Sequence, residues 1–493
     1  TLGDAALAGV GLGGFANFLF SALILGLSAG VQAMAARRVG EGRLSETAIP
    51  LNGGLLVALV IAVPLSALLI TFAPEYFPIL TSDAAVVEQG VPYLRARLFA
   101  MFGMGMNFAF RGYWNAVDKS MLYMRTLISM HVLNIFLNWV LIFGNLGAPE
   151  LGAAGAGVAS AIATVFGTAS YFILGRSYAR DAGFLHGLPD RPTMATILRL
   201  AAPAGLQQFF FAAGMTVFLM FVARMGTPEL AATKVIIDLM LVAILPGIGF
   251  GLAAASLAGQ ALGRGDPSDA QQWGWDVTRM AVLVVAALSL PAVLVPEAIL
   301  GVFIHEPATL ALAKGPLRMV AAFLFLDAVG MVLMNALLGV GDAKRVMFIG
   351  TGFQWLIFLP AVYVVGPVMG LGLLAVFAAQ VLYRGLQSIT FALMWTRNLA
   401  LHHPPMTNHT DVDLNQPHPP TLSFGNVGGA ARERRACLVG GSGTGALARP
   451  LLLETGAARS QERPGGPKLD RWTKLRTDRP PGRSTSSDLK GTR

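Results

Sequence analysis

Gly40-Glu41-Gly42-Arg43-Leu44-Ser45-Glu46 is met again 223 residues later as Gly263-Arg264-Gly265-Asp266-Pro267-Ser268-Asp269. Each copy is a short glycine-containing turn between two long apolar runs. The same offset joins Tyr93-Leu94-Arg95 to Pro316-Leu317-Arg318. With a small slip, Asp118-Lys119 matches Asp342-Ala343-Lys344, and Gly155-Ala156-Gly157 is followed by Gly370-Leu371-Gly372 in the same order. Preserved order over this distance means two homologous halves in tandem.

The runs between these turns decide the environment. Hydrophobic residues make up 54% of the 493 and charged residues only 13%, with mean hydropathy +0.61, too few charges to coat a soluble protein of this size. Apolar stretches recur from residue 9 to residue 395, and each is long enough to cross a hydrocarbon core of about 30 Å as a helix. The expected fold class is an all-α polytopic membrane protein. Helices are predicted at 9–35, 49–73, 93–116, 123–144, 153–175, 197–225, 232–262, 276–299, 316–340, 346–366 and 369–395. Pro64, Pro246 and Pro360 fall inside them, which membrane helices tolerate where neighbours satisfy the freed carbonyls. The lone Cys437 excludes a disulfide within the chain. No cleavable signal peptide is visible.

Loop charge sets the orientation. Arg37, Arg38, Arg43, Lys119, Arg125, Arg176, Arg180, Arg191, Arg264, Lys344 and Arg345 fall at alternate loops. The other loops hold Glu75, Asp83, Glu88, Glu150, Glu297 and Glu306. The positive-inside rule makes the basic set and the C-terminus cytoplasmic. Matched loops then lie on one membrane side, so the repeat is parallel and two lobes are expected about an axis along the membrane normal. The net charge of +9 is no nucleic-acid signal, because most of the excess lies after residue 400.

The expected organisation is an N-lobe at 1–180, a cytoplasmic linker at 181–196, a C-lobe at 197–397 and a disordered tail at 398–493, rich in Pro, Gly, Arg, Ser and Thr. Gly3-Asp4-Ala5-Ala6-Leu7-Ala8 aligns with Gly226-Thr227-Pro228-Glu229-Leu230-Ala231. The second half has a helix before that point, at 197–225, and the first has none. A five-helix N-lobe lacking its original first helix, and a six-helix C-lobe, are therefore expected.

Several of these motifs resemble the multidrug and toxic compound extrusion (MATE) family of the NorM-like kind. They are Gly3-Asp4-Ala5-Ala6-Leu7-Ala8, Gly26-Leu27-Ser28-Ala29-Gly30-Val31-Gln32, Arg37-Arg38-Val39-Gly40-Glu41-Gly42, Arg111-Gly112, Asn134-Ile135-Phe136-Leu137-Asn138 and Leu338-Gly339-Val340-Gly341-Asp342. The resemblance covers roughly residues 1–397. It implies a twelve-helix fold and export of drugs or toxic organic cations from a cell inner (plasma) membrane, in exchange for inward H⁺ or Na⁺. It implies no cofactor beyond that ion. The expected partners are small organic cations or drugs and the lipid bilayer, with no nucleic acid, and the chain is expected to be a monomer and no enzyme.

An ionisable side chain deep in the membrane is costly unless paired or hydrated. Asp327, between Phe325-Leu326 and Ala328-Val329, is such a residue. It reads as a cation-coupling site, or as a structural acid bonded to a neighbouring helix. The resemblance places an aromatic four residues before it, where Phe323 stands in place of the common tyrosine. Asn134 and Asn138 share a helix face, and by the resemblance Ser160 completes a second cation-coupling site with them. Asn138 stands where proton-driven relatives often have Asp, and interhelical hydrogen bonding is the plain alternative. The resemblance also expects a Glu at Phe211, leaving Gln207 and Gln208 as neutral polar groups nearby. Gln207, Phe211, Phe323 and Met331 are the candidate substrate contacts. Met104, Met106, Phe209, Phe210, Met215 and Met334 are further candidates for a greasy lining, or face lipid and neighbouring helices. His131 reads as a packing residue, Lys234 and Asp238 as an exposed pair, and 152–157 as close helix packing rather than a phosphate loop. A lipid or oligosaccharide flippase is the rival reading, ranked second because no mid-membrane arginine cluster is expected. A receptor or scaffold is disfavoured by the duplication and by Asp327.

Overall fold

The structure, a computed structural model, describes residues 3–398. The tail expected beyond residue 398 and Cys437 lie outside the described residues. Among the described residues ten helices are long and apolar enough to cross a membrane, and the secondary structure is helical throughout. The long helices are α1 (Asp4–Gly40), α2 (Ile49–Thr71), α3 (Ala84–Phe99), α4 (Met101–Ala116), α5 (Ser120–Phe143), α6 (Gly152–Tyr178), α7 (Arg191–Ala223), α8 (Thr227–Gly263), α9 (Pro267–Leu294), α10 (Pro307–Gly339), α11 (Ala343–Gly352) and α12 (Gly372–Asn398).

Most of these run past the predicted apolar cores. Their polar ends leave the hydrocarbon layer yet keep helical hydrogen bonds, as at Arg191, where α7 begins inside the expected linker. The helix predicted at 93–116 starts at Ala84 and breaks at Ala100, whose ψ of 8° interrupts the helical path between α3 and α4. Beyond α11 the chain continues in two wide π-helical segments, 353–358 and 364–368, around Leu359–Tyr363. Such turns re-aim side chains, and Gln354 and Trp355 there donate to the carbonyls of Phe211 and Phe210 at 3.1 Å each.

The repeat is visible bond by bond. After α1, Glu41 N–H donates to Arg37, Gly42 to Val39 and Arg43 to Arg38; after α8, Arg264 donates to Gln260, Gly265 to Leu262 and Asp266 to Ala261. Every partner is shifted by the same offset. Gly42 and Gly265 take φ of 75° and 77°, the left-handed conformation that lacks a Cβ penalty only in glycine. Arg95 Nε donates to the Ile70 carbonyl at 3.1 Å, and its repeat partner Arg318 to the Val293 carbonyl at 3.0 Å. Lys119 N–H bonds Trp114 as Asp342 N–H bonds Leu337. Asp342 therefore matches Lys119 with no slip, and Asp118, at φ 59°, occupies the left-handed position that Gly341 holds in the second half.

The two halves meet where their repeat partners touch. A Cβ on Gly40 would strike the Gln260 carbonyl and the Cα of Gly263; one on Gly263 would strike the Arg37 carbonyl and the Cα of Gly40. One turn earlier, Ala36 lies against Gly259. The backbones of α1 and α8 thus cross on the pseudo-twofold axis, at a separation only small residues permit. Along its other face α1 packs on α7, where Gly26 and Gly205 allow the same close approach. Among the described residues of the first half, no helix corresponds to α7.

At the end of the bundle carrying the basic turns, the chain is tied down by polar side chains. Asn52 donates to the carbonyls of Gly183 and Gly187 at 2.9 and 3.0 Å and accepts from Leu185 N–H at 3.0 Å, holding the 179–190 connection on α2. Gly155 and Gly157 pack against the backbones of Leu141 and Tyr93, the helix contact expected of the glycine stretch.

Candidate functional site

A cavity of about 330 Å³ lies between the halves, within the range of small-molecule sites. It is lined from α1, α4, α7, α8, α10, α12 and the 343–368 segment. Towards the basic turns it is bounded by a hydrogen-bond network. Gln32 Nε2 donates to the Leu252 carbonyl at 2.7 Å and to Ser256 Oγ at 2.9 Å, and Ser256 Oγ donates onward to the Asn115 carbonyl at 2.9 Å. Gln260 Nε2 donates to the Ala116 carbonyl at 3.0 Å and to Asp118 Oδ2 at 3.1 Å. The Ala36–Gly259 and Gly40–Gly263 crossing lies beyond Gln32 on α1, so this end of the cavity is shut.

Of the expected substrate contacts, Gln207, Phe211 and Met331 line the cavity, as do Gln208 and Met334. Phe323 does not: it is 45% exposed and borders a separate small crevice with Asp327, Gln380 and Arg384. That crevice is lined from α8, α10 and α12, with Met240 as its α8 residue. Met104, Met106, Phe209, Phe210 and Met215 also lie outside the lining. Met106 and Met215 pack against buried cores, and Phe210 stands edge-on to Trp355. His131 is exposed on α5, and Lys234 pairs with Asp238 at 2.8 Å.

Asp327 is buried, at 6% exposure, and it is paired: its Oδ1 lies 3.0 Å from Arg384 Nε on α12. Its Oδ2 is buried without a hydrogen-bond partner. Arg384 reaches the central cavity, stands 5.9 Å from the Phe211 ring centre, and donates to Gln387 Oε1 at 3.3 Å. A second guanidinium, Arg111 on α4, lines the same cavity, with Nε donating to Ser28 Oγ at 3.0 Å and Cζ 5.1 Å from the Phe108 ring centre. Two arginines thus line one cavity in a membrane interior where no arginine cluster was expected. The signal was present: Arg384 lies near the middle of an apolar span, and Arg111 lies within the Arg111-Gly112 motif. Separation by hundreds of residues hid their convergence.

The other expected group comes together. Asn138 Nδ2 donates to Asn134 Oδ1 at 3.1 Å, and Asn134 Nδ2 donates to Ser160 Oγ at 3.2 Å. Asn138 Oδ1 is buried without a partner, a free acceptor suited to a proton donor or a hard cation. Among the described residues no group of three His, Cys, Asp or Glu forms a metal site.

The family model described as MatE matches residues 1–140 and 203–364, more than half of the chain. The chain belongs to the MatE family. A probable multidrug resistance protein NorM of Thermotoga maritima is 25% identical over 414 residues, covering 80% of this chain and 87% of the relative. The NorM of Pseudomonas aeruginosa is 28% identical over 369 residues, 73% of this chain and 75% of that one. Among solved structures, an outward-facing multidrug resistance MATE family transporter aligns with TM-score 0.74 at 21% identity, covering 81% of this chain and 89% of that one. A MOP superfamily transporter from Pyrococcus furiosus, described as having a binding pocket of reverse polarity, aligns with TM-score 0.74 at 20% identity and the same coverage. The MATE fold and membership make this a multi-pass membrane transporter and not an enzyme.

Proposed function

We propose that this MATE protein is a secondary active exporter of drug-like organic molecules, working by antiport against H⁺ or Na⁺. The observation that carries this reading is the cavity between two repeat-related halves, lined by polar and apolar side chains and shut at one end by the α1–α8 crossing. The NorM names of the relatives support multidrug export. Alternating access follows if an N-lobe at 1–180 and a C-lobe at 197–397 rock against each other so that the crossing opens and closes, with 181–196 as the link between them. The basic turns are then cytoplasmic and the closed end faces the cytoplasm, an outward-facing state in the inner membrane.

Two places can serve the ion: the Asn134–Asn138–Ser160 group, whose oxygens suit sodium, and the Asp327 carboxylate. The test is fluoroquinolone and ethidium efflux from vesicles driven by ΔpH or by a sodium gradient. Asp327→Asn keeps the shape and removes the charge, and is expected to cut efflux by about tenfold or more. Asn134→Ala and Asn138→Ala are expected to weaken sodium-driven efflux more than proton-driven efflux. Wild-type efflux by Asp327→Asn under both gradients would reduce that residue to packing. No ion-driven movement of any dye would overturn the exporter reading.

A further inference from the structure

The charged lining of the cavity has one sign. Arg111 and Arg384 are its charged residues, and no aspartate or glutamate lines it. Asp327 neutralises Arg384 from the far side, in the crevice it shares with Phe323, without reaching the cavity itself. Among the described residues no carboxylate lies within ion-pair distance of Arg111, whose polar and ring contacts are the neutral Ser28 and Tyr123 hydroxyls and the Phe108 ring. A guanidinium stays charged under all ordinary conditions, and holding one inside a membrane without a counter-ion is costly. The remaining polar lining is largely amide, from Gln207, Gln208, Gln354 and Gln387 among others, and adds no charge. A cavity with this lining attracts anions and repels cations.

We propose that the cavity takes drug-sized organic anions, with an acidic head drawn to the guanidinium groups of Arg111 and Arg384 and an apolar body against Phe211, Ile248, Met331 and Met334. The guanidinium fork matches a carboxylate, sulfonate or phosphate, and the methionines adapt to varied apolar bodies. The proposal rests on the reading of this cavity as the cargo site and replaces the organic cation expected from the family resemblance. It also changes what Asp327 does. An ion that neutralised Asp327 would free Arg384 and strengthen an anionic cargo, so it cannot compete with that cargo there. Asp327 is then the standing counter-ion of Arg384, and exchange falls to the Asn134–Asn138–Ser160 group. Loss of its charge would trap the cargo on Arg384, so this role too predicts reduced efflux for Asp327→Asn.

The test is equilibrium binding to the full chain in nanodiscs, reading carboxyfluorescein by anisotropy and ethidium by fluorescence. Carboxyfluorescein is expected to bind about tenfold or more tightly than ethidium, and Arg111→Gln to weaken it about tenfold, while Arg111→Lys, which keeps the charge without the fork, weakens it less. Asp327→Asn is expected to tighten carboxyfluorescein. A cation site would show the reverse, with ethidium the tighter ligand and loosened by Asp327→Asn, and that result overturns the proposal. Should Arg111→Gln fail to fold, the Asp327→Asn shift and its sign decide alone. In liposomes, anion binding without gradient-driven movement of either dye would sink the exporter reading and leave this site intact. Ethidium export without anion binding would do the opposite. Scrambling of a fluorescent phosphatidylglycerol, with no carboxyfluorescein binding, would assign the anionic head to a lipid and overturn a drug-sized cargo.

Discussion

At the residue scale, Asp327 and Arg384 form one unit, in which the loss of either partner is felt by the other. Taking away Arg384 leaves a buried carboxylate without its counter-charge, and breaking a buried pair in this way costs about 3–5 kcal/mol. Arg384→Gln is therefore expected to lower thermal stability sharply in detergent. The double substitution Asp327→Asn with Arg384→Gln, which leaves two neutral amides, is expected to recover most of the loss. Equal destabilisation by the single and double variants would show that the pair contributes through packing alone. Half of this unit was legible in the sequence. A carboxylate among Phe325, Leu326, Ala328 and Val329 announces itself against an apolar background. Its partner carried the same signal on α12, but a pairing between helices 57 residues apart in the chain has no spacing rule to reveal it. Asn134 and Asn138 were readable as neighbours because helical periodicity puts i and i+4 on one face. Phe323 was placed by analogy of position and borders the crevice rather than the cavity, since an analogy fixes the helix and not the side it presents.

At the scale of elements, apolar length was the strongest signal, and it found the spans but not their ends. Arg191 to Met194 and Pro307 to Leu312 continue helices outside the predicted apolar runs, where hydropathy is silent and hydrogen bonding is not. The break at Ala100 and the wide turns after Gly352 were equally hidden, because a local change of winding leaves the composition of a span unchanged. The crossing of α1 and α8 was half-visible: Gly40 and Gly263 were aligned as repeat partners, but their contact with each other belongs to the axis, which is a property of the fold. A leucine at either glycine must push the opposite backbone away, since the atoms it meets are carbonyl and Cα rather than a flexible side-chain tip. Gly40→Leu and Gly263→Leu are each expected to hold the crossing apart. The measurement is maleimide labelling of Ser256→Cys in a Cys437→Ser background, which should rise several-fold in either variant. Unchanged labelling together with wild-type transport would mean that the helices bend locally and the crossing is no gate.

At the scale of the whole molecule, the parallel repeat supplies the means of movement. An inter-half contact built from residues 223 apart lies on the axis itself, so rocking of one half against the other opens or closes it symmetrically. The contact between Ala36 and Gly259 permits a direct test. An ideal Cβ on Gly259 lies 3.0 Å from the Ala36 Cβ, slightly inside the usual disulfide spacing of about 3.5–4.5 Å, so a small separation of the helices accommodates the bond. In a Cys437→Ser background, the pair Ala36→Cys with Gly259→Cys is expected to cross-link on mild oxidation. The two halves would then be tied at the end closed by the Gln32–Ser256 network. Alternating access requires that end to open once per cycle, so the oxidised protein should bind cargo from the opposite face and carry none across. A reducing agent should restore flux, separating the effect of the bond from that of the substitutions. Either single cysteine, oxidised in the same way, should transport as its reduced form does. Full transport by the cross-linked protein would show that α1 and α8 stay together throughout the cycle, and the gate would have to lie elsewhere in the bundle.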